Sequence, residues 1–186
     1  MSAYDNRYRD FIEQEIVSGS GAPNDPLVFQ YINLNQARIK GIEARLVWNP
    51  LAGLDLSAGW ANARGHSSNG GIDTPLDTIQ PQRLTLAARY EIGALALNAK
   101  FQHASAQKAS QSSTAANFLP PAFHTLDVGG SFRITPALRA SASISNLTNE
   151  KYWRWSDVHG IATNSPVLDT YTAPGRQVQL ALQADF

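Results

Sequence analysis

Four histidines, His66, His103, His124 and His159, are the first side chains to test for chemistry. Two imidazoles one helical turn apart would suit a metal, because their nitrogens would converge on one ion. No such spacing occurs. The chain also has no cysteine, which excludes thiolate metal sites and disulfides. The residues therefore imply no metal and no resident cofactor. His103 and Ser105 lie two apart and share a strand face, where a base could reach a hydroxyl. No acid or amide is fixed nearby to orient that base, so the pair gives no catalytic site. His159 differs, because Trp153 and Trp155 lie beside it in the longest polar connection. Flat aromatics with an imidazole can meet a haem or a protein surface, which makes Trp153, Trp155 and His159 the ligand-contact candidates. The same tryptophans suit an aromatic girdle at a membrane interface, and that is the preferred reading for them. Gly70-Gly71 and Gly129-Gly130 precede no helix and form no phosphate loop.

The elements that would carry these residues are strands. At the end of the chain Val178, Leu180, Leu182, Ala184 and Phe186 fall on one face, and Gln177, Gln179, Ala181, Gln183 and Asp185 on the other. That is period two. The same split recurs upstream. Ile42, Ala44, Leu46 and Trp48 oppose Glu43 and Arg45; Leu54, Leu56, Ala58 and Trp60 oppose Asp55 and Ser57. Leu84, Leu86, Ala88 and Tyr90 oppose Arg83, Thr85 and Arg89; Leu95, Leu97, Ala99 and Phe101 oppose Asn98 and Lys100. Leu126, Val128, Phe132 and Ile134 oppose Asp127 and Arg133; Leu138, Ala140, Ala142 and Ile144 oppose Arg139 and three serines. A further strand is expected over 4–16.

Short turns at 49–53, 91–93 and 135–136 alternate with long polar connections at 18–26, 65–81, 104–121 and 149–174. About eight antiparallel strands follow, with short turns at one end and long loops at the other. The shared polar face bears Arg83, Arg89, Lys100, Asp127, Arg133 and Arg139. In a dry core each charge would cost several kcal/mol unless paired. In a wide wet lumen they cost little. The expected fold is all-β, an antiparallel transmembrane β-barrel segment with lipid outside and water inside.

Composition agrees. Lys plus Arg and Asp plus Glu number 15 each, which points to no nucleic-acid partner. No apolar run approaches the ~18 residues of a transmembrane helix. A mean hydropathy of -0.26 is compatible with half-apolar barrel strands. Residues 1–5 show no basic and apolar leader, which a barrel bound for the outer membrane needs, so the chain is expected to be a piece of a longer protein.

Four stretches carry a resemblance: Tyr8-Arg9-Asp10-Phe11-Ile12-Glu13; Asn35-Gln36-Ala37-Arg38-Ile39-Lys40-Gly41-Ile42-Glu43; Ser145-Asn146-Leu147-Thr148-Asn149-Glu150-Lys151-Tyr152; and Thr172-Ala173-Pro174-Gly175-Arg176 with the terminal Phe186. In this order they resemble the C-terminal end of TonB-dependent outer-membrane receptors. The stretch from Lys151 to Gly160 resembles the haem and haemoglobin branch. The resemblance implies that residues 1–186 are the C-terminal part of the receptor barrel, about eight strands of a 22-stranded type. Periplasmic turns would be short and extracellular loops long. The plug, the TonB-contacting box and the signal peptide are not among these residues, so TonB would act only through that plug. Phe186 resembles the signal read by the barrel-assembly machinery. Implied partners are outer-membrane lipid and a haem or haemoprotein cargo. No haem ligand is carried over, because no histidine here matches the family's ligand motifs. A siderophore receptor and a self-contained eight-stranded barrel with a structural or adhesive role are the alternatives.

Overall fold

Alternating apolar and polar residues, rich in β-branched and aromatic types, favour extended backbone. The computed structural model joins them in one antiparallel sheet and describes residues 1–19, 24–69 and 71–185. The strands are β1 (Ser2–Ser18), β2 (Val28–Leu51), β3 (Leu54–Asn69), β4 (Ile72–Pro75), β5 (Arg83–Ile92), β6 (Leu95–Ala104), β7 (Phe123–Thr135), β8 (Leu138–Ser145) and β9 (Gln177–Ala184). They pair in sequence order, with β4 attached to β3 off the main path. Tight turns join β2 to β3, β5 to β6 and β7 to β8 at one end. At the first of these Gly53 sits at φ 79, and its carbonyl accepts the Glu91 N–H at 2.8 Å. A Cβ there would lie 2.1 Å from the Glu91 carbonyl oxygen, so only glycine fits.

One expectation is corrected. The stretch 65–81, read as loop, continues β3 to Asn69 and returns through β4, with His66 opposite Pro75 and Ser68 opposite Asp73. The covered positions of this ribbon are Gly65 and the buried Ser67, so no apolar alternation marks it as a strand. Phe186 lies outside the described residues.

The two faces separate as the alternation requires. Leu46, Trp48, Leu56, Leu86, Phe101 and Leu126 gather on one side. Glu43, Arg45, Arg83, Thr85 and Gln102 gather on the other. On the polar side Lys100 meets Asp127 at 3.1 Å, while Arg133 stands directly opposite Arg139. Two like charges facing each other are tolerable only where water screens them. On the apolar side Leu180 is 77% exposed and Leu182 68%. A contiguous apolar wall of this kind belongs against lipid.

Among the described residues no second sheet covers that wall. Two clusters of buried apolar side chains form among the described residues, Leu34, Ala37 and Leu76 in one, Trp155, Val158 and Ile161 in the other, and both lie at the long-loop end. A sandwich would bury its strand faces instead. Nor are β1 and β9 paired with each other among the described residues, so the sheet stays open. The arrangement is a segment of a larger barrel, not a small closed one.

The two faces make opposite predictions. In the protein that carries this segment, Leu86→Arg should destabilise the folded barrel in lipid by about 2–4 kcal/mol. Thr85→Arg, one residue away on the wet face, should cost under about 1 kcal/mol. Urea unfolding in vesicles checks both, and equal costs would refute the assignment of faces.

Candidate functional site

The long connections do not hang free; they fold on one another. The connection after β8 begins with Asn146 and Asn149 at φ 49 and 56, a left-handed conformation that asparagine tolerates. Asn146 is 4% exposed. Its amide nitrogen donates to the Glu150 carbonyl at 2.9 Å and the Pro174 carbonyl at 3.3 Å, and its side-chain oxygen accepts the Glu150 N–H at 2.9 Å. Its own N–H donates to the Asp127 carboxylate at 2.9 Å. Asn149 accepts the Arg176 N–H at 2.8 Å. The Ala173 N–H donates to the Tyr152 carbonyl at 2.9 Å. Two of the motifs singled out in the sequence thus meet and tie the loop shut at its base.

Above that base lies a single helical turn, α1 (Trp155–Val158). Trp155 is 1% exposed and Val158 fully buried, packed with Ile161, Leu168, Tyr171, Phe118 and Leu119. The indole N–H of Trp155 donates to the main-chain carbonyl of Asp77 at 2.6 Å, 78 residues away in sequence. The Asp77 carboxylate in turn accepts the N–H of Ser113 at 2.8 Å and its hydroxyl at 2.5 Å, and the amide of Asn117 at 3.2 Å. Asn117 pairs with Ala162 as an isolated bridge, and the Phe118 N–H donates to the Ile161 carbonyl at 2.7 Å. One residue therefore fastens the connection after β4 to those after β6 and β8. A carboxylate with several donors is held by charge-assisted bonds, the stronger kind.

The three aromatic-loop candidates separate. Trp155 is corrected on both readings: it is neither an interfacial girdle residue nor a surface open to ligand, because the loop cluster encloses it. Trp153 is half-buried. Its N–H donates to the Leu168 carbonyl at 3.1 Å, Phe118 meets it edge-on at 5.3 Å, and Lys151 Nζ stands 5.2 Å over its ring. His159 is partly exposed, its Nδ1 3.1 Å from the Ser156 carbonyl and its ring 6.0 Å from that of Trp155. Trp153 and His159 remain at the surface that a ligand could reach. His103 stands opposite Leu84 and His124, whereas Ser105 has left the strand, donating its N–H to the Gln82 carbonyl at 2.9 Å. Among the described residues no hydrogen bond joins His103 to Ser105, and no group of three or more potential ligands could hold a metal. Sequence reasoning missed Asp77; an Asp in a loop carries no local mark of a partner so distant.

The family model described as TonB dependent receptor-like, beta-barrel, matches residues 1–147. Among curated proteins, the hemoglobin and hemoglobin-haptoglobin-binding protein of Haemophilus ducreyi is 22% identical across 233 aligned residues, covering 100% of this chain and 24% of its own. Similar solved structures include the copper transporter OprC, with a TM-score of 0.78 and 20% identity over 99% of this chain and 29% of that one. The ferripyoverdine receptor of the Pseudomonas aeruginosa outer membrane gives 0.67 and 17%, over 99% and 24%. The chain spans about a quarter of the length of the curated relative.

Asp77→Ala should lower the local stability of the loop cluster by about 1.5–3 kcal/mol, the worth of hydrogen bonds to a charged group. Hydrogen exchange at 113–117 and protease nicking within 105–122 should rise about tenfold or more, while the strands keep their protection. Unchanged exchange would show that Asp77 is not the tie.

Proposed function

Because the chain belongs to the TonB-dependent receptor β-barrel family and forms outer-membrane barrel wall, we propose that it serves a receptor for energy-coupled uptake of haem or haemoglobin iron. The observation that supports this cargo is the relative named for binding hemoglobin, which aligns over the whole of this chain. The part played by these residues is capture. The interlocked connections give a preformed surface at the long-loop end, and a preformed surface loses less entropy when a ligand is ordered on it. On that surface stand the half-buried Trp153, Lys151 over its ring and paired with Asp169 at 2.9 Å, and the imidazole of His159. Trp155 acts beneath them as a positioning residue. The polar strand face lines the path inward. Coupling to TonB falls to the plug of the complete receptor.

The test is growth of an iron-starved strain whose only copy of the full-length receptor is supplied on a plasmid. Haemoglobin as sole iron source should support growth, and removal of TonB should abolish it. The segment expressed alone should support none. Trp153→Ala should weaken haemoglobin binding about 10- to 30-fold, as loss of a central aromatic anchor does. Growth on a ferric siderophore but not on haem or haemoglobin would overturn the cargo and leave the family assignment standing.

A further inference from the structure

On β1, β2 and β3 the outward face changes character within one pair of residues. The apolar run Trp48, Leu46, Ala44 and Ile42 continues into Lys40 and Arg38 without a shift of register. Lys40 stands opposite Asp5 on β1 and Arg64 on β3. Arg38 stands opposite Arg7 and His66, and Gln36 opposite Arg9 and Ser68. Opposed residues of antiparallel strands share a face. Arg7, Arg9, Arg38, Lys40 and Arg64 therefore form one outward cluster, and they line a single groove with His66.

The carboxylates in this neighbourhood are Asp5 and Asp73. Asp5 accepts Arg38 Nε at 2.7 Å and lies 3.9 Å from Lys40 Nζ; Asp73 lies 3.6 Å from His66 Nδ1. Among the described residues Arg7, Arg9 and Arg64 have no carboxylate partner. Five cations and His66 thus stand against two carboxylates, an excess of positive charge on a chain of zero net charge.

We infer that this cluster docks the phosphate groups of a lipid headgroup in the outer leaflet. Three observations converge. The cluster begins where the lipid-facing run ends, at headgroup height, and long Lys and Arg side chains reach along a wall to that level. The guanidinium fork matches phosphate oxygens in geometry and charge. And the apolar residues directly below, Ile42, Ala44 and Leu46, would lie against the acyl chains of the same molecule. A lipid offers both halves at once, whereas a free phosphate offers only the first. The site lies on the outer wall, away from the loop cluster, and is independent of the cargo proposed above.

The experiment uses the full-length receptor in neutral detergent, titrated with bis-phosphorylated lipid A or with the same lipid dephosphorylated. The phosphorylated lipid should bind at least about tenfold more tightly, since each basic residue near a charged lipid surface contributes appreciably. Arg7→Gln, Arg9→Gln and Arg64→Gln together should remove that preference. Three substitutions on the wet face, Arg83→Gln, Arg89→Gln and Arg133→Gln, should leave it intact. Equal binding of the two lipids by the unsubstituted receptor would overturn the proposal without any variant. Loss of preference in the wet-face variant would also overturn it. Displacement of the lipid by millimolar inorganic phosphate would assign the cluster to a soluble anion instead.

Discussion

A peptide group in hydrocarbon has no water to bond, so each backbone N–H and C=O must find a partner within the protein. The other features of this chain follow from that requirement. The ladders from β2 to β9 run in register across the apolar band, with shifts only beside the turns, between Trp48 and Leu51 and between Arg133 and Thr135. Among the described residues, the non-glycine residues with positive φ, Asp10, Asn146 and Asn149, all lie at the long-loop end. Irregular backbone is confined to where water or side chains can satisfy it. The same requirement makes the open edges of β1 and β9 incompatible with bare lipid, and so demands strand partners for them.

Inside the band the sheet needs no core of its own, because lipid covers one face and water the other. Outside it that support is gone. There the connections build their own interior around Trp155 and Leu76, and they do so with contacts that are very distant in sequence. Burying an indole costs its N–H a partner unless one is supplied, and Asp77 supplies it with a carbonyl while its carboxylate gathers the next loop. The platform is therefore a small globular assembly resting on the barrel rim, with its own interior.

This division explains what the sequence made legible. Strand faces, turn positions and the alternation of long and short connections were readable, because period two is a local pattern that lipid on one face and water on the other enforce. Within the Asn35–Glu43 stretch Gly41 is required by packing, because the ring of Tyr4 lies 2.4 Å from where its Cβ would be. The extension of β3 to Asn69 was not readable, because its buried positions are Gly65 and Ser67, which give no apolar alternation. Trp155 was misread because an aromatic in a polar loop looks the same whether it faces lipid, ligand or an interior assembled from three other segments.

Asp10 shows how the two regimes are joined. Before it, β1 faces Arg7 and Arg9 outward, opposite Arg38 and Gln36. At Asp10 φ turns to 54. Beyond it Phe11 packs with Leu34, which strict alternation would place on the outer face, in one cluster with Ala37 from the inner face. Tyr8 and Phe11, three apart, come within ring contact at 5.4 Å. The roll brings the aromatic part of the strand into the loop core and leaves its basic part on the wall. A strand without that roll would carry Phe11 and Leu34 out above the arginines, placing apolar rings where the surface is most charged. The left-handed Asp10 thus stands between the basic part of the strand on the outer wall and the aromatic part in the inner cluster.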